Sequence, residues 1–257
     1  MSPKLIKQLA DKKYRNETGL FLVEGEKSID ELLASDFEIV EIIGTLPYLD
    51  TINESVHAYE KRTLRGVGIA DLSESELVRI GTKETNNAGI AVAKQRTADM
   101  WGEVEDATKT ELVLALDDVR DPGNLGTIIR IADWFGVKHI VASLETTDFY
   151  NPKTIAASMG SFTRVEVTYT LLAPFLKKSK SAGIPVLGAV LGGENIHHCK
   201  VHPNGILLLG SESHGISAEL LPLLTQKIAI PKFGGAESLN VSVATGIILD
   251  VLRQSSK

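Results

Sequence analysis

The sequence predicts an α/β protein of two domains, a small mixed α/β domain followed by a larger one built on a parallel sheet. From residue 111 onward, short apolar runs alternate with segments of helical spacing, which is the pattern of a doubly wound parallel sheet. Before that point the strands and helices are shorter and do not alternate in this way. A chain of 257 residues, 43% of them hydrophobic, is long and apolar enough for two cores. We therefore predict a first domain at residues 1–96, a linker at 97–110 and a second domain at 111–257.

The elements of the first domain are predicted from hydrophobic spacing. Ile29 and Leu32 share one face of a helix that follows Gly25, and residues 38–43 alternate as a half-buried strand does. A Ser-Glu-Ser sequence further on has the composition of a helix N-cap. We predict helices at 4–13, after Gly25 and at 73–78, and strands at 21–23, 38–43 and 88–93.

The second domain follows a polar segment, residues 95–110, whose mixed charge and lack of periodicity are typical of a linker. Residues 112–116 then form a continuous apolar run, as expected of a strand that is buried on both faces of a sheet. The remaining helices are predicted at 125–135, 152–159, 171–181 and 238–253, and the remaining strands at 139–142, 165–169, 185–190, 205–209 and 227–230.

Composition and charge disfavour several classes of protein. No apolar stretch is long enough to span a membrane, and residues 1–16 lack the apolar core and cleavage site of a secretory signal. The single cysteine, Cys199, excludes an internal disulfide and a cysteine-based zinc site and favours the reducing cytoplasm. The net charge of −6 disfavours bulk attraction to nucleic acid but leaves room for a local basic face.

Three histidines near the cysteine, His197, His198 and His202, resemble a metal-ligand cluster at first sight. Adjacent histidines diverge on a helix or a strand, however, and no carboxylate completes a ligand pattern. We interpret the segment as a polar loop and expect no metal.

Three polar, glycine-containing segments indicate where a ligand binds. Residues 121–130, 210–215 and 230–240 each follow a short apolar run, so each is expected where a strand ends. In an open parallel sheet, ligands bind in the loops at the carboxyl ends of the strands. Because these loops carry Asn, Arg, Glu and Ser side chains, they predict one composite site, and the chain is expected to be an enzyme.

The two common nucleotide-binding motifs are absent from these loops. The first loop has Gly123 and Gly126 but no G-x-G-x-x-G, and Ser143 stands where an acidic residue would bind a ribose. No G-x-x-x-x-G-K-[ST] sequence occurs anywhere in the chain.

Together the three segments resemble the motifs of the SpoU (TrmH) family of RNA ribose methyltransferases, in the SPOUT superfamily. Asn124, Gly126 and Arg130 match the first motif, residues 210–215 the second, and residues 230–244 the third. The match covers roughly residues 112–252, with the family's order and spacing. The first domain is similar to the ribosomal-protein-like RNA-binding domain that many members carry.

Three positions depart from the family's usual pattern. Ser211 and Ser213 stand where Asn and Gly are more frequent, and Lys232 stands where Met is usual. The two serines keep the capacity to form hydrogen bonds, whereas Lys232 is expected to alter contacts with RNA.

The resemblance implies a fold, a reaction, a cofactor and an assembly. The fold is a parallel sheet whose C-terminal segment passes through a loop to make a trefoil knot, although knots are rare. The reaction is transfer of a methyl group from S-adenosylmethionine to a ribose 2′-hydroxyl of structured RNA, either rRNA or tRNA. The assembly is a homodimer in which both subunits contribute to the site.

The residues expected to be catalytic lie in the three loops. The resemblance implies that Arg130 acts on the acceptor ribose, as the base or by holding the hydroxyl and the neighbouring phosphate. A guanidinium stays protonated in proteins, which favours the positioning role. Glu212 is expected to hold Asn124 or Arg130, and Ser238 and Asn240 complete the set. For Asn124 and Ser238, helix capping is the alternative interpretation.

The residues expected to bind the cofactor are backbone positions at strand ends. Leu209 and Gly210, Ile230 and Leu239 offer backbone groups to the adenine and to the amino-acid end, and Gly188 begins a wall without side chains. For the RNA, Lys12, Lys13 and Arg15 form a local basic patch in the first domain.

Two other functions stay open at the level of sequence. One is a non-catalytic RNA- or ribosome-binding module on the same fold. The other is a small-molecule enzyme on an ordinary doubly wound fold, with the glycine-containing loops binding a phosphate. Binding of S-adenosylmethionine, compared with NAD and ATP, distinguishes them.

Overall fold

The computed structural model describes residues 1–96, 101–199 and 204–254, which divide into two compact units. Unit 1 comprises Met1–Ala98 and Asp148–Arg164, and unit 2 comprises Asp99–Thr147 and Val165–Lys257. Unit 1 is therefore assembled from two separate stretches of the chain. No helix among the described residues is long and apolar enough to cross a membrane.

Unit 1 is built on a four-stranded sheet in the order β1-β4-β2-β3. β4 is antiparallel to both of its neighbours, and β3 pairs with β2 in parallel. The strands are β1 (Leu20–Glu24), β2 (Ile39–Gly44), β3 (Gly68–Asp71) and β4 (Gly89–Lys94). The helices are α1 (Pro3–Gln8), α2 (Lys12–Thr18), α3 (Glu26–Leu33), α4 (Leu46–Thr63), α5 (Glu74–Ile80) and α8 (Pro152–Ser158).

The predicted helix at 4–13 is wrong in one respect, because the chain forms two helices there. α1 ends at Gln8 and α2 begins at Lys12. The break lies at Asp11, whose carboxylate accepts the backbone N–H of Lys13 at 2.8 Å and so caps a new helix. Farther along, the capping interpretation of residue 73 is confirmed, since Ser73 and Glu76 form a reciprocal capping box at the start of α5.

The 148–164 segment belongs to unit 1 because its aromatic side chains complete that unit's core. The Phe21 ring of β1 packs against Tyr150 at 4.7 Å and Phe162 at 6.1 Å between ring centroids. Arg15 is 1% exposed and forms an ion pair with Asp148 at 2.6 Å. A buried guanidinium requires such a partner, so α2 depends on a carboxylate 133 residues away.

Unit 2 is built on a six-stranded sheet in the order β10-β8-β9-β5-β6-β7, in which every pairing is parallel. This confirms the predicted parallel sheet. The strands are β5 (Leu112–Leu116), β6 (His139–Ala142), β7 (Glu166–Tyr169), β8 (Val186–Asn195), β9 (Gly205–Leu209) and β10 (Gln226–Ala229). The helices are α6 (Trp101–Thr110), α7 (Pro122–Trp134), α9 (Leu172–Ser181) and α10 (Val241–Gln254).

The structure differs from the sequence predictions in three places of unit 2. Residues 101–110 of the expected linker form α6, whose Val104 is buried in the core, while residues 97–100 lie outside the described residues. β8 continues to Asn195 beyond its predicted end, and its register against β10 jumps from Gly188 to Glu194. α10 begins at Val241 and not at residue 238.

The strand order brings two of the polar loops together. β5 and β9 are neighbours, and Leu116 at the end of one pairs with Leu209 at the end of the other. α7 follows β5 and packs against α10, which follows the third loop. The carboxyl edge of the sheet thus gathers segments that are about a hundred residues apart in sequence.

Candidate active site

The loop after β5 is held rigidly by its neighbours on both sides. The Asp117 N–H donates to the carbonyl of Leu209 at 2.9 Å, and its carboxylate accepts the N–H of Ser217 at 2.7 Å. Asp118 has left-handed backbone geometry (φ 57°), and its N–H donates to Ser143 Oγ at 3.0 Å. These bonds fix the position at which α7 begins.

The start of α7 presents the first predicted catalytic side chain. Asp121 caps the helix by accepting the N–H of Asn124 at 2.8 Å, and Pro122 is the first helical residue. Asn124 lies within the first turn, so its side-chain amide is free to bond elsewhere. The helix-cap interpretation of Asn124 is therefore wrong, because Asp121 fills that role.

A hydrogen-bond network joins one residue from each of the three loops. Asn124 Nδ2 donates to Glu212 Oε1 at 2.9 Å, and Asn240 Nδ2 donates to the same oxygen at 2.5 Å. Asn240 Nδ2 also lies 2.8 Å from Asn124 Oδ1. One carboxylate oxygen thus links two amides from residues 116 positions apart, and the expected contact between Glu212 and Asn124 is present.

Asn240 has a second role at the start of α10. Its Oδ1 accepts the N–H groups of Ser242 at 2.9 Å and Val243 at 3.3 Å, which is the bonding of an N-cap residue. The alternative interpretation of Ser238 as a cap is wrong, because Ser238 lies outside the helix and forms no hydrogen bond with a described residue. The cap therefore falls on the residue that also enters the network.

Arg130 is not joined to this network. It is exposed on α7 and makes no hydrogen bond or ion pair with any described residue. Its five N–H donors are thus available to a ligand or to solvent. Of the five expected catalytic residues, three are bonded together, whereas Arg130 and Ser238 are not.

A cavity of about 250 Å³ opens beside the network. It lies between the loop after β5 and the loop after β9, and both polar and apolar atoms form its walls. The lining residues are Asp118, Val119, Arg120, Asp121, Asn124, Glu212, Ser213, His214 and Val241.

Three of the expected cofactor-binding residues lie on, or directly after, three adjacent strands. Leu209 is the last residue of β9. Gly188 of the neighbouring strand β8 pairs with Leu208 of β9, and Ile230 directly follows β10. Leu209 is buried, and its carbonyl already accepts the N–H of Asp117.

The two expected cofactor glycines are required for a reason other than the one we predicted. A Cβ on Gly210 would overlap the backbone of Gly215 and Ile216, and a Cβ on Gly188 would overlap the side chain of Leu224. Protein atoms, not an open ligand space, fill both positions. The absence of side chains there reflects close packing of the chain against itself.

The third loop, in contrast, leaves its backbone available. Residues 232–240 are exposed, and residues 231–239 make no backbone hydrogen bond with other described residues. Leu239 is 46% exposed. These backbone N–H and C=O groups require partners from water or a ligand.

The three expected RNA contacts separate into two kinds. Lys12 and Lys13 are exposed on α2, whereas Arg15 is buried. The Arg15 guanidinium donates to Asp148 and to the carbonyls of Leu9 and Ala10. It has no face left for a phosphate, so Arg15 is corrected to a residue that stabilises unit 1.

The histidine segment forms no metal site in the part of the chain that the structure describes. His197 and His198 lie in a 3₁₀ turn at 196–198, and His202 lies outside the described residues. No group of three or more His, Cys, Asp or Glu side chains is arranged to hold a metal ion within the described ranges.

Sequence reasoning missed Arg120 and Asp118, which line the cavity. Arg120 Nε donates to Asp118 Oδ1 at 2.6 Å, and this hydrogen bond and the carboxylate charge raise the pKa of Arg120. Their position immediately before the first loop, at a predicted strand end, was the available signal.

Comparisons with known proteins give a consistent result. The SpoU rRNA Methylase family model matches residues 111–250, and the MRM3-like substrate binding domain matches residues 3–91.

The chain is 32% identical to the 23S rRNA (guanosine(2553)-2'-O)-methyltransferase RlmP of Bacillus subtilis (strain 168), over 96% of this chain and 94% of that protein. It is 28% identical to the 23S rRNA (guanosine-2'-O-)-methyltransferase RlmB of Neisseria meningitidis, over 79% and 78% of the two chains. The AdoMet-bound rRNA methyltransferase from Sinorhizobium meliloti has a similar structure, with a TM-score of 0.82, 31% identity, and coverage of 98% of this chain and 94% of that one.

Proposed function

The chain belongs to the SpoU rRNA methylase family, and from this membership we propose that its substrate is a nucleotide of 23S rRNA. It is an S-adenosylmethionine-dependent enzyme that methylates an RNA ribose 2′-hydroxyl. The observation that carries the assignment of the site is the network in which Asn124, Glu212 and Asn240 meet. It joins all three loops that the resemblance to this family identified.

The chemistry requires orientation more than activation of a leaving group. S-adenosylmethionine supplies a methyl group on a sulfonium, which already leaves readily as a neutral thioether. The protein must hold the 2′-hydroxyl in line with the methyl–sulfur bond and receive the hydroxyl proton. We propose that Arg130 holds the acceptor and its phosphate, since its donors are unoccupied by described residues. The network around Glu212 would hold the three loops at fixed separation.

The third loop fits the cofactor. Residues 232–239 are exposed, and the backbone of residues 231–239 is unpaired among the described residues, so it can pair with adenine edges and the amino-acid end. Ile230 and Leu239 at its two ends would contact the cofactor, with Gly210 and Gly188 forming the packed floor beneath. Leu209 would contribute through its position at the end of β9.

Two observations support ribosomal RNA as the substrate. The two curated relatives described above are named 23S rRNA guanosine methyltransferases, and residues 3–91 match a substrate-binding domain. Lys12 and Lys13 are exposed on α2 of that unit, where they can contact phosphates although the chain as a whole carries a net negative charge. We propose that this domain, at about residues 1–96, binds RNA and that residues 111–257 carry catalysis.

Mapping of 2′-O-methylation across 23S rRNA tests the proposal, using RNA from cells with and without the gene. We expect one methylated ribose to disappear on deletion and to return with the wild-type gene but not with Arg130→Ala. Incubation of unmodified 23S rRNA transcript with the pure protein and labelled S-adenosylmethionine should methylate the same site. An unchanged 23S map with a changed tRNA map would assign the substrate to tRNA instead.

We also propose a homodimer, on the evidence of exposed apolar side chains in unit 2. Trp134 is 85% exposed, Phe233 is 96% exposed and Val243 is 50% exposed. Where exposed apolar groups form a contiguous patch, the patch is typical of a protein–protein interface. Sedimentation equilibrium would detect a dimer, and Trp134→Glu with Val243→Glu should yield monomers.

The knot of the family is part of the same proposal. After β9 the chain passes to β10 at the outer edge of the sheet, beyond β8, and then returns so that α10 packs against α7. A path that leaves and returns across β8 and β9 is compatible with threading through the 189–193 segment. Because ribosomal RNA is the proposed substrate, the cytoplasm is the proposed location.

A further inference from the structure

An ion pair between the exposed Arg120 and the partly buried Asp118 lies on the loop after β5, at the edge of the cavity. Arg120 Nε lies 2.6 Å from Asp118 Oδ1, and the Arg120 side chain is 74% exposed. Both residues line the same cavity as Asn124 and Glu212 of the network. The pair is therefore next to the site and outside the hydrogen bonds that hold it together.

The backbone under this pair is anchored in a conformation that most residues avoid. Asp118 has a φ of 57°, which non-glycine residues rarely adopt. Its N–H is bonded to Ser143 Oγ, and the next N–H, of Val119, is bonded to Thr146 Oγ1 at 3.3 Å. Unusual geometry that the surroundings hold in place is frequent at ligand-binding positions.

Among the charged groups that line the cavity, the Arg120 guanidinium has donors available for an anion. Its three carboxylates are occupied, because Asp118 binds Arg120, Asp121 caps α7 and Glu212 accepts two amides. Arg120 uses only Nε in its bond to Asp118, and no hydrogen bond joins its two Nη groups to a described residue. Two parallel Nη–H groups suit a phosphate.

We propose that Arg120 binds a backbone phosphate of the RNA beside the acceptor ribose, and that Asp118 is a positioning residue that orients its guanidinium. This inference rests on the proposed function. Every 2′-hydroxyl in an RNA chain lies next to the 3′-phosphate of its own ribose, so a cavity for the acceptor must also accommodate that anion. Phosphate contacts carry no base information, so Arg120 sets the register of the RNA and not its sequence.

The experiment measures RNA affinity, turnover and salt dependence for Arg120→Gln, Arg120→Lys and Asp118→Asn in the full-length protein. The probe is unmodified 23S rRNA transcript, with labelled S-adenosylmethionine for turnover and filter binding for affinity. Arg120→Gln should raise the KM for RNA about tenfold and leave the Kd for S-adenosylmethionine unchanged. The plot of log affinity against log salt should flatten by about 0.7–0.9, the value of one lost phosphate contact.

The other two variants separate charge from geometry. Arg120→Lys keeps the charge and should keep the salt slope while raising KM. Asp118→Asn keeps a residue that tolerates left-handed geometry and leaves Arg120 charged, so it should raise KM by less and not change the slope. Lys109→Gln is the control, since Lys109 is exposed and pairs with Asp106 at the same 2.6 Å but does not line the cavity. It should behave as the wild type.

Three results overturn the inference: an Arg120→Gln slope equal to that of the wild type, an unchanged KM, or an equal loss of cofactor affinity. Failure of the proposed function looks different. A wild-type protein that binds the RNA but transfers no methyl group would refute the activity. The difference in salt slope between wild type and Arg120→Gln would still decide the phosphate contact.

Discussion

The amide side chain of Asn240 takes part in two features of the site, the hydrogen-bond network and the N-cap of α10. Its Nδ2 group donates to Glu212 and Asn124 in the network, and its Oδ1 accepts from Ser242 and Val243 at the start of α10. The same residue thus fixes where α10 begins and where the first two loops meet. A substitution that keeps the capping oxygen but removes the amide donor can separate the two roles.

Asn240→Asp should retain the cap of α10 and lose activity. Its carboxylate can still cap α10, but it loses both amide donations and stands against Glu212. Asn240→Ala loses the cap as well and should lower the free energy of unfolding by about 1 kcal/mol. Urea unfolding and single-turnover methylation of the 23S rRNA transcript check both variants. An Asn240→Asp enzyme as active as the wild type would show that the amide donors are dispensable.

Arg130→Ala should lower the methyl-transfer rate on the order of a hundredfold, as expected when a reacting group loses its positioning residue. Affinity for S-adenosylmethionine should stay near that of the wild type, because the proposed contacts of Arg130 are with the acceptor. Arg130→Lys should also be slow, since an ammonium lacks the two-pronged geometry. Single-turnover kinetics beside cofactor calorimetry provide the measurement. Retention of most of the rate by Arg130→Ala would remove it from the site.

At the scale of elements, the loop after β9 depends on tight backbone contact. The N–H of Ser211 donates to the carbonyl of Gly215, and the N–H of Gly215 donates back to the carbonyl of Ser211. This reversal brings Gly215 and Ile216 against Gly210. The position of Glu212, and so of the network, follows from that packing.

Gly210→Ala should therefore destabilise the protein, by about 1–3 kcal/mol as typical for overpacked sites. Cofactor affinity should fall only as a consequence of the displaced loop. Gly102→Ala in α6 is the matched control, because a Cβ there meets no atom within 4 Å. Because alanine has less conformational freedom than glycine in the unfolded chain, this control should stabilise the protein by about 0.4–1 kcal/mol. Urea denaturation of the two variants checks the signs, and a Gly210→Ala protein of wild-type stability would contradict the packing argument.

At the scale of the whole molecule, unit 1 takes a segment from the middle of the chain. Phe21 packs against Tyr150 and Phe162, and Arg15 is neutralised by Asp148. The sequence that matches the substrate-binding domain, residues 3–91, contains none of the three partners. The domain boundary in the sequence therefore does not coincide with the boundary between the two structural units.

A fragment of residues 1–96 should consequently unfold with lower cooperativity than unit 1 does in the intact chain. It lacks the aromatic partners of Phe21, and it leaves the Arg15 guanidinium without its carboxylate, which costs several kcal/mol for a buried charge. Adding residues 148–164 through a flexible Gly–Ser linker should restore a cooperative transition. Near-ultraviolet circular dichroism during heating measures both. Equal transitions for the two fragments would show that the segment is not needed.

The sequence alone determined the positions of the second domain's strands, several of them to the residue, and the three loops of the candidate site. β5, β6 and β9 have the predicted bounds, because continuous apolar runs between polar loops specify buried parallel strands. We did not predict α6 because the hydrophobic periodicity of its sequence is weak. The buried Val104 stands among polar and charged residues. The start of α10 was misplaced because Ser238 and Asn240 are both good caps.

Only the tertiary structure decided which polar side chains meet. Arg15 and Lys13 belong to one basic sequence, yet one is buried against Asp148 and the other is exposed. Asn124 and Glu212 are 88 residues apart, and they bond because β9 lies beside β5 in the sheet. A local pattern shows that a residue is polar and that a strand ends there. The order of the strands, which depends on packing of the whole sheet, determines the partner of each side chain.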